Sequence, residues 1–184
     1  MDDIKRILVV SRSTKNCKKA LHHGIALAKQ NNAKLYVLHV IHSTKWIFVQ
    51  VSGFNGFAVV DFATRKEIRR IQNPDLPPGK KTVPAGSDPS HGMAVTADGK
   101  TLVVCSRLNN FLYAYSLPDL KLLGGAELGG KGAGWVTLTP DGRMAYVANP
   151  VTNDVSVVDV KALKEVARIP VGFVPKRNTT GVLQ

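Results

Sequence analysis

The residues best suited to chemistry near the start of the sequence are two adjacent histidines and two serines. His22 and His23 fall in a segment with helical spacing of apolar residues, and they lack the pair four residues apart or the nearby carboxylates that a metal site needs. Ser11 and Ser13 have no His/Asp partner placed beside them, so helix capping rather than nucleophilic attack is expected. Because the sequence shows no catalytic constellation, no metal site and no cofactor motif, it predicts a protein that is not an enzyme.

A second group of residues stands before strand-like apolar runs in the C-terminal two thirds of the chain: His91, Lys131, Trp135 and Lys176. If these runs are the first strands of β-propeller blades, the four side chains gather at the mouth of the central channel. They would form a basic, partly aromatic binding surface there. The competing interpretation is that the neighbouring glycines serve tight turns and that Trp135 packs between blades. The sequence leaves both interpretations open.

The elements that position this second group follow a repeat. Asp-Gly turns at Asp98 and Asp141 lie 43 residues apart, and each separates two runs of alternating apolar residues. This pattern predicts β-hairpins. A third run follows the turns at Asn109 and Asn153, and a fourth run follows each of these. Four short strands in each 40–45-residue period indicate propeller blades.

The repeat also extends in both directions. Residues 46–72 show the pattern without its first strand, residues 72–90 form a Pro/Gly-rich insertion, and further blades are predicted at about 91–130 and 134–170. The tail, 171–184, aligns with the segment that enters a first strand. Because three blades leave open sheet edges, we expect a homo-oligomer through them, such as two chains that exchange tails in a six-bladed ring.

The last blade carries residues that resemble a known repeat family. Thr139-Pro140-Asp141-Gly142, Tyr146-Val147-Ala148-Asn149 and the run from Asn153 to Asp159 are similar to the YVTN family of β-propeller repeats. Thr96-Ala97-Asp98-Gly99 is a slightly altered copy of the first of these motifs. The resemblance covers residues 46–184, and it implies the fold while leaving the ligand unspecified.

The N-terminal residues follow a different pattern. A β-branched run at 7–10, a helical stripe at 16–30 and a second run at 35–41 predict a βαβ unit. Over residues 1–43 this unit resembles the start of a universal stress protein. Members of that family that bind ATP have an acidic residue where this chain has Ser11, and their glycine-rich phosphate loop belongs to a second half with no counterpart here. Ser11, Ser13 and Val40, which matches a position lining the adenine pocket, are the weak nucleotide-binding candidates.

Composition limits the remaining possibilities. The chain has 184 residues and a net charge of +12, and residues 1–45 contain nine Lys/Arg against two Asp/Glu. Since no aromatic-rich strand accompanies these charges, nucleic acid is not expected as a partner. Cys17 and Cys105 are expected to be free thiols, with Cys105 acting as a small hydrophobe in a strand. No signal peptide or membrane-spanning run is recognisable, which predicts a cytoplasmic protein that does not bind a membrane.

Together these patterns predict a mainly β fold, a partial β-propeller of about three four-stranded antiparallel blades behind a βαβ unit. The domain boundary is expected at 44/45, and its abruptness indicates a chimera, natural or engineered. The predicted function is a non-enzymatic scaffold or binding module for an unidentified protein or small molecule, without a cofactor. The alternative is an ATP-binding protein of the universal stress type that works through its N-terminal unit.

Overall fold

The structure, a computed structural model, describes the backbone of residues 6–11, 15–39 and 45–181 and the side chains of residues 22–34 and 45–181. The chain divides into two compact units, Met1–Lys45 and Trp46–Gln184. This division falls one residue after the boundary expected from the sequence. No helix in the described part of the chain is long and apolar enough to cross a membrane.

The first unit is a βαβ motif. Strand β1 (Arg6–Ser11) pairs in parallel with β2 (Lys34–His39), and helix α1 (Lys15–Gln30) connects them. The helix ends through the turn at Asn32, which has a φ of 47°, and the amide of Ala33 donates to the carbonyl of Ala28. This agrees with the βαβ unit that the two strand-like runs and the helical stripe between them predict.

The second unit contains three antiparallel sheets, and each is one blade with its strands in chain order. The first blade comprises β3 (Trp46–Val49), β4 (Gly56–Asp61) and β5 (Lys66–Gln72). The second comprises β6 (Ser90–Val95), β7 (Thr101–Ser106), β8 (Phe111–Ser116) and β9 (Leu122–Glu127). The third comprises β10 (Trp135–Leu138), β11 (Met144–Asn149), β12 (Asp154–Asp159) and β13 (Lys164–Pro170). The mainly β fold, a partial propeller preceded by a βαβ unit, is confirmed, and the first blade has three strands.

Apolar residues on alternate sides of β7 join the three blades. Because successive side chains of a strand point to opposite faces, Leu102 and Val104 pack with Phe57 and Val59 of the first blade. On the other face, Val103 and Cys105 belong to a second core that includes residues of the third blade, Ala145, Val147 and Val158. The second blade is thus buried on both of its faces.

The two Asp-Gly hairpins have the same turn geometry. Thr96 Oγ1 donates to Asp98 Oδ1 at 2.7 Å, and Thr139 Oγ1 donates to Asp141 Oδ1 at 2.6 Å. The following glycine has a positive φ in both turns, 69° and 70°. A residue with a side chain is strained in that conformation, which accounts for the Asp-Gly pair at this point of each blade.

A polar cluster joins the first and second blades. Tyr115 donates its hydroxyl to Asn73 Oδ1 at 2.9 Å, and both side chains are buried. Ser106 Oγ donates to Asn55 Oδ1 at 2.8 Å, and Gln50 Nε2 donates to Ser90 Oγ at 3.2 Å. Asn73 also begins the Pro/Gly-rich segment, and its burial fixes the start of that segment against the blades.

The described part of the tail, residues 171–181, contains no strand but contacts the third blade. Asn178 Nδ2 donates to the carbonyl of Tyr146 at 2.7 Å, and the hydroxyls of Thr137 and Thr180 are 2.8 Å apart. A cavity of about 310 Å³ lies between this tail and the exposed face of the third blade.

Candidate functional site

The candidate site is the end of the blades at which β6 and β10 begin. There Ser90 pairs with Ser106, so the β7–β8 turn lies beside the start of β6, and Trp135 pairs with Ala148 next to the β11–β12 turn. His91 and Trp135 stand at the starts of β6 and β10. We call His91, Lys131, Trp135 and Lys176 the mouth residues.

His91 and Trp135 are in direct contact. Their ring centroids are 4.5 Å apart with an interplanar angle of 58°. His91 Nδ1 lies 3.1 Å from the carbonyl oxygen of Gly134. Because a carbonyl oxygen can only accept, Nδ1 carries the proton of this hydrogen bond, which leaves Nε2 of the neutral ring as an acceptor. The contact therefore fixes both the position and the tautomer of the imidazole.

A glycine makes this contact possible. A Cβ atom built on Gly92 would lie 2.6 Å from the carbonyl oxygen of Gly134 and 2.9 Å from the Cα of Trp135. Both are backbone atoms that cannot turn aside, so only glycine permits the two blades to approach this closely. Gly92 thus lets the backbone of the third blade approach closely enough for His91 to reach Gly134.

The two lysines of the site belong to segments held at the same end of the blades. The amide of Lys131 donates to Thr152 Oγ1 at 2.9 Å, in the β11–β12 turn. In the same turn, Asn153 Oδ1 accepts from the amide of Val174 at 2.8 Å, two residues before Lys176. Both lysine side chains are exposed, and neither forms an ion pair with a residue in the described part of the chain.

The structure therefore brings His91 and Trp135 together and places Lys131 and Lys176 in segments fixed to the neighbouring turn. Trp135 is only partly buried, and its ring contacts that of His91. The nucleotide-binding candidates cannot be placed: Ser13 and Val40, and the side chain of Ser11, lie outside the described residues. His22 and His23 are exposed on α1.

Sequence reasoning missed a second concave region, at the opposite end of the second and third blades. The two Asp-Gly hairpins and the β12–β13 turn enclose a cavity of about 580 Å³, whose lining includes Asp98, Asp141, Arg143, Asp159 and Lys161. The pKa values of Asp98 and Asp141 are lowered, mainly because a threonine hydroxyl donates to each carboxylate. The 43-residue spacing of the hairpins was the available signal. No group of three metal-ligating side chains occurs among the described residues.

The comparison with family models concerns the N-terminal unit. The model "Universal stress protein family" matches residues 3–51, which include the βαβ unit and the first strand of the first blade. This match supports the resemblance seen in residues 1–43. It covers about a quarter of the chain. No curated protein matches the sequence.

Solved structures resemble the blades. "Kuenenia stuttgartiensis Hydrazine Synthase" is 18% identical with a TM-score of 0.59, over 72% of this chain and 35% of that chain. "Dihydro-heme d1 dehydrogenase NirN in complex with DHE" is 21% identical with a TM-score of 0.52, over 68% of this chain and 24% of that chain. This chain thus spans about a third and a quarter of these proteins, and likeness at such identities shows the fold alone.

These neighbours correct one expectation. The sequence predicts that the chain is not an enzyme, yet both similar structures are enzymes by name, a hydrazine synthase and a dehydrogenase. The expectation was wrong because it used the absence of a recognisable catalytic motif within these 184 residues. A blade arrangement of this kind occurs in enzymes, so the fold gives no argument against catalysis.

Proposed function

We propose that the blades form a binding module that takes up an anionic ligand with a planar, aromatic part at the mouth residues. The contact between His91 and Trp135 is the observation that carries this proposal. It provides a flat apolar surface and a ring nitrogen that can accept a hydrogen bond. Exposed Lys131 and Lys176 supply positive charge at the same end of the blades.

The chemistry of these groups favours one class of ligand. Aromatic rings pack on a tryptophan in stacked or edge-to-face arrangements that contribute about 0.5–1.5 kcal/mol beyond buried area. Lysine ammonium groups attract carboxylate or phosphate as point charges, and the attraction weakens as salt increases. A ligand that combines a ring with two or more negative charges would use both parts of the site.

The test uses benzene-1,3,5-tricarboxylate, a planar aromatic trianion, as the probe in isothermal titration with the full chain. The double variant Lys131→Ala with Lys176→Ala should weaken binding about 2- to 10-fold, because each exposed charge contact contributes only a small free energy. Trp135→Ala is expected to weaken it about 2- to 12-fold through the lost ring contact.

The matched control is the pair Lys100→Ala and Lys161→Ala, which removes the same charge from exposed positions at the opposite end of the blades. If the control pair weakens binding as much as the mouth pair, the ligand responds only to net charge and the proposed site is wrong. Absence of measurable binding at about 10 mM probe would also reject the site, because the binding free energy would then be weaker than roughly 3 kcal/mol.

The blades are further inferred to be repeats of the YVTN type, joined to the universal stress unit as a chimera. The motifs at Pro140-Asp141-Gly142 and Tyr146-Val147-Ala148-Asn149 support the first inference. The second is supported by the division of the chain after Lys45 and by the end of the family match at residue 51, near this division. Separate expression of residues 46–184 tests it, since cooperative unfolding of that segment alone is expected if the two units are independent.

A second candidate function is nucleotide binding by the N-terminal unit, because the universal stress protein model matches residues 3–51. Equilibrium dialysis with ATP measures it directly. A submicromolar affinity that is unchanged in the Lys131→Ala and Lys176→Ala variant would establish this function in the N-terminal unit. If no ATP is retained at about 100 µM, the binding free energy is weaker than roughly 5 kcal/mol and this function is rejected.

A further inference from the structure

We infer that Arg107 binds the acidic group of the ligand at the mouth residues, a carboxylate or a phosphate, through two hydrogen bonds of its guanidinium group. The inference rests on the proposed function and extends it to a residue outside the mouth residues. Three observations carry it: a turn fixed at the same end of the blades, a position beside His91, and a guanidinium group without a partner.

Arg107 begins the β7–β8 turn, and hydrogen bonds hold this turn beside the start of β6. The amide of Leu108 donates to the carbonyl of Pro89 at 3.0 Å. Pro89 precedes His91 by two residues, and the strand that contains His91 pairs with β7. The backbone that follows Arg107 is thus fixed next to the segment that leads to His91.

The same turn is joined to the segment that carries Lys131. Asn110 Nδ2 donates to the carbonyls of Leu128 and Gly130 at 2.6 and 2.7 Å. Asn110 is buried, so these two hydrogen bonds are shielded from water and hold the turn firmly. The turn therefore lies between the first strand of the second blade and the glycine-rich segment before β10, and both of these segments carry mouth residues.

The repeat indicates that the side chain of Arg107 begins beside His91. Equivalent positions of the second and third blades lie 43 residues apart, as the registers of their first and second strands show. Arg107 and His91 therefore correspond to Pro150 and Gly134. In the third blade the Cδ atom of Pro150 lies 3.9 Å from a Cβ atom built on Gly134. The same arrangement in the second blade brings the first carbons of the Arg107 side chain next to His91.

The guanidinium group of Arg107 has no partner among the residues that the structure describes. Arg107 is partly buried, and its Nε is shielded from solvent without a hydrogen-bond partner. No described carboxylate forms an ion pair with it. A shielded N–H group without an acceptor is unfavourable, so an oxygen that reaches this group from the exposed part of the residue gains more than it would at a solvated cation.

Arginine is suited to this role because its donors form a planar fork. Two parallel N–H groups match two oxygens of a carboxylate or a phosphate, whereas Lys131 and Lys176 act as point charges. A lysine at position 107 keeps the positive charge and loses one of the two hydrogen bonds. The substitution Arg107→Lys therefore separates paired hydrogen bonding from charge.

The first test follows the Nε–H resonance of Arg107 by ¹H–¹⁵N NMR in the unmodified full chain. The probes are benzene-1,3,5-tricarboxylate and inorganic phosphate, each added at constant ionic strength. The resonance is expected to shift and to saturate below about 10 mM of at least one probe. The control is the Nε–H of Arg143, an exposed residue in the β10–β11 hairpin at the opposite end of the blades, which should not move. No shift with either probe, or a shift no larger than that of Arg143, overturns the inference.

The second test is isothermal titration of Arg107→Lys with the probe that saturates. Binding should weaken about 3- to 10-fold at unchanged net charge, because one hydrogen bond to the anion is lost. Arg143→Lys is the matched control and should bind as the unmodified chain does. Equal affinities of the two variants would overturn the paired hydrogen bonds.

The outcomes separate this inference from the proposed function. If the Arg107 resonance saturates while Trp135→Ala leaves the affinity for the tricarboxylate unchanged, the anion site stands and the aromatic part of the proposed function is wrong. If the affinity depends on Trp135 while the Arg107 resonance does not move, the proposed function stands and Arg107 does not bind the acidic group.

Discussion

Removing the aromatic ring of Phe57 tests whether the first and second blades share one core. Phe57 is fully buried, and it contacts Phe48 edge-to-face with centroids 5.9 Å apart and Tyr115 with centroids 5.2 Å apart. Leu102 and Val104 of the second blade belong to the same core. The substitution Phe57→Ala therefore removes the ring that connects the two blades.

The expected cost follows from these contacts. Truncation of a buried phenylalanine to alanine costs about 3–5 kcal/mol, through lost transfer free energy and the cavity that remains. Phe57→Leu keeps an apolar side chain in the space but loses two ring contacts of about 0.5–1.5 kcal/mol each, so its cost should be roughly 1–3 kcal/mol. The alanine variant must therefore be the less stable of the two.

Urea unfolding followed by tryptophan fluorescence measures both variants. Trp46 and Trp135 lie in the blades, and Trp46 packs against the core that contains Phe57. With a slope of about 2 kcal/mol per molar urea, a loss of about 4 kcal/mol lowers the midpoint by roughly 2 M. Protein concentration must be held constant because association also stabilises the fold.

Phe173→Ala is the matched control, since Phe173 is 91% exposed. Its unfolding free energy should change by less than about 0.5 kcal/mol. If Phe57→Ala lowers the midpoint no more than this control does, the first and second blades do not share a core and the reasoning fails.

Three further predictions concern the blade contacts and turns. Gly92→Ala should destabilise the blades by about 1–3 kcal/mol in urea, because its Cβ would collide with the backbone of Gly134, and an unchanged midpoint would contradict this approach. The pKa of Asp141 is lowered, mainly because the Thr139 hydroxyl donates a hydrogen bond to its carboxylate. The ionised carboxylate therefore stabilises the fold fully above the usual aspartate pKa, and this stabilisation is lost as pH falls through the lowered pKa. Thr139→Val should therefore flatten the decline of the urea midpoint on acidification, and an identical decline would refute that cause. Burial raises the pKa of the Cys105 thiol, so a thiol reagent at pH 8 should label it only in urea, and peptide mapping that finds it labelled in the native chain would be inconsistent with the buried strand.

The repeat in the sequence was sufficient to predict the blades, because hairpin turns and alternating apolar runs are local features. Asp98 and Asp141 mark equivalent turns, and the structure gives them the same hydrogen bonds. The missing first strand of the first blade was also recognisable from the order of the runs. A pattern of this kind predicts the strands of each blade without any knowledge of the contacts between blades.

The contacts between blades were less accessible from the sequence. The placement of His91 against Trp135 depends on the register of two first strands and on the space beside Gly92, neither of which a single sequence specifies. The hydrogen bond between Tyr115 and Asn73 joins residues 42 positions apart in different blades. Polar residues in apolar runs give no indication of their partners until the blades are packed.

The polar cluster between the first and second blades has a counterpart of different chemistry. Asn73, Ser90 and Tyr115 correspond, 55 or 43 residues later, to three buried apolar residues between the second and third blades: Leu128, Ala133 and Val158. The same positions are thus hydrogen-bonded at one junction and hydrophobic at the next. Exchanging the blades would bury polar groups without partners, at about 1–3 kcal/mol each. The junctions therefore encode the order of the blades, and repeats that look interchangeable in the sequence have fixed neighbours.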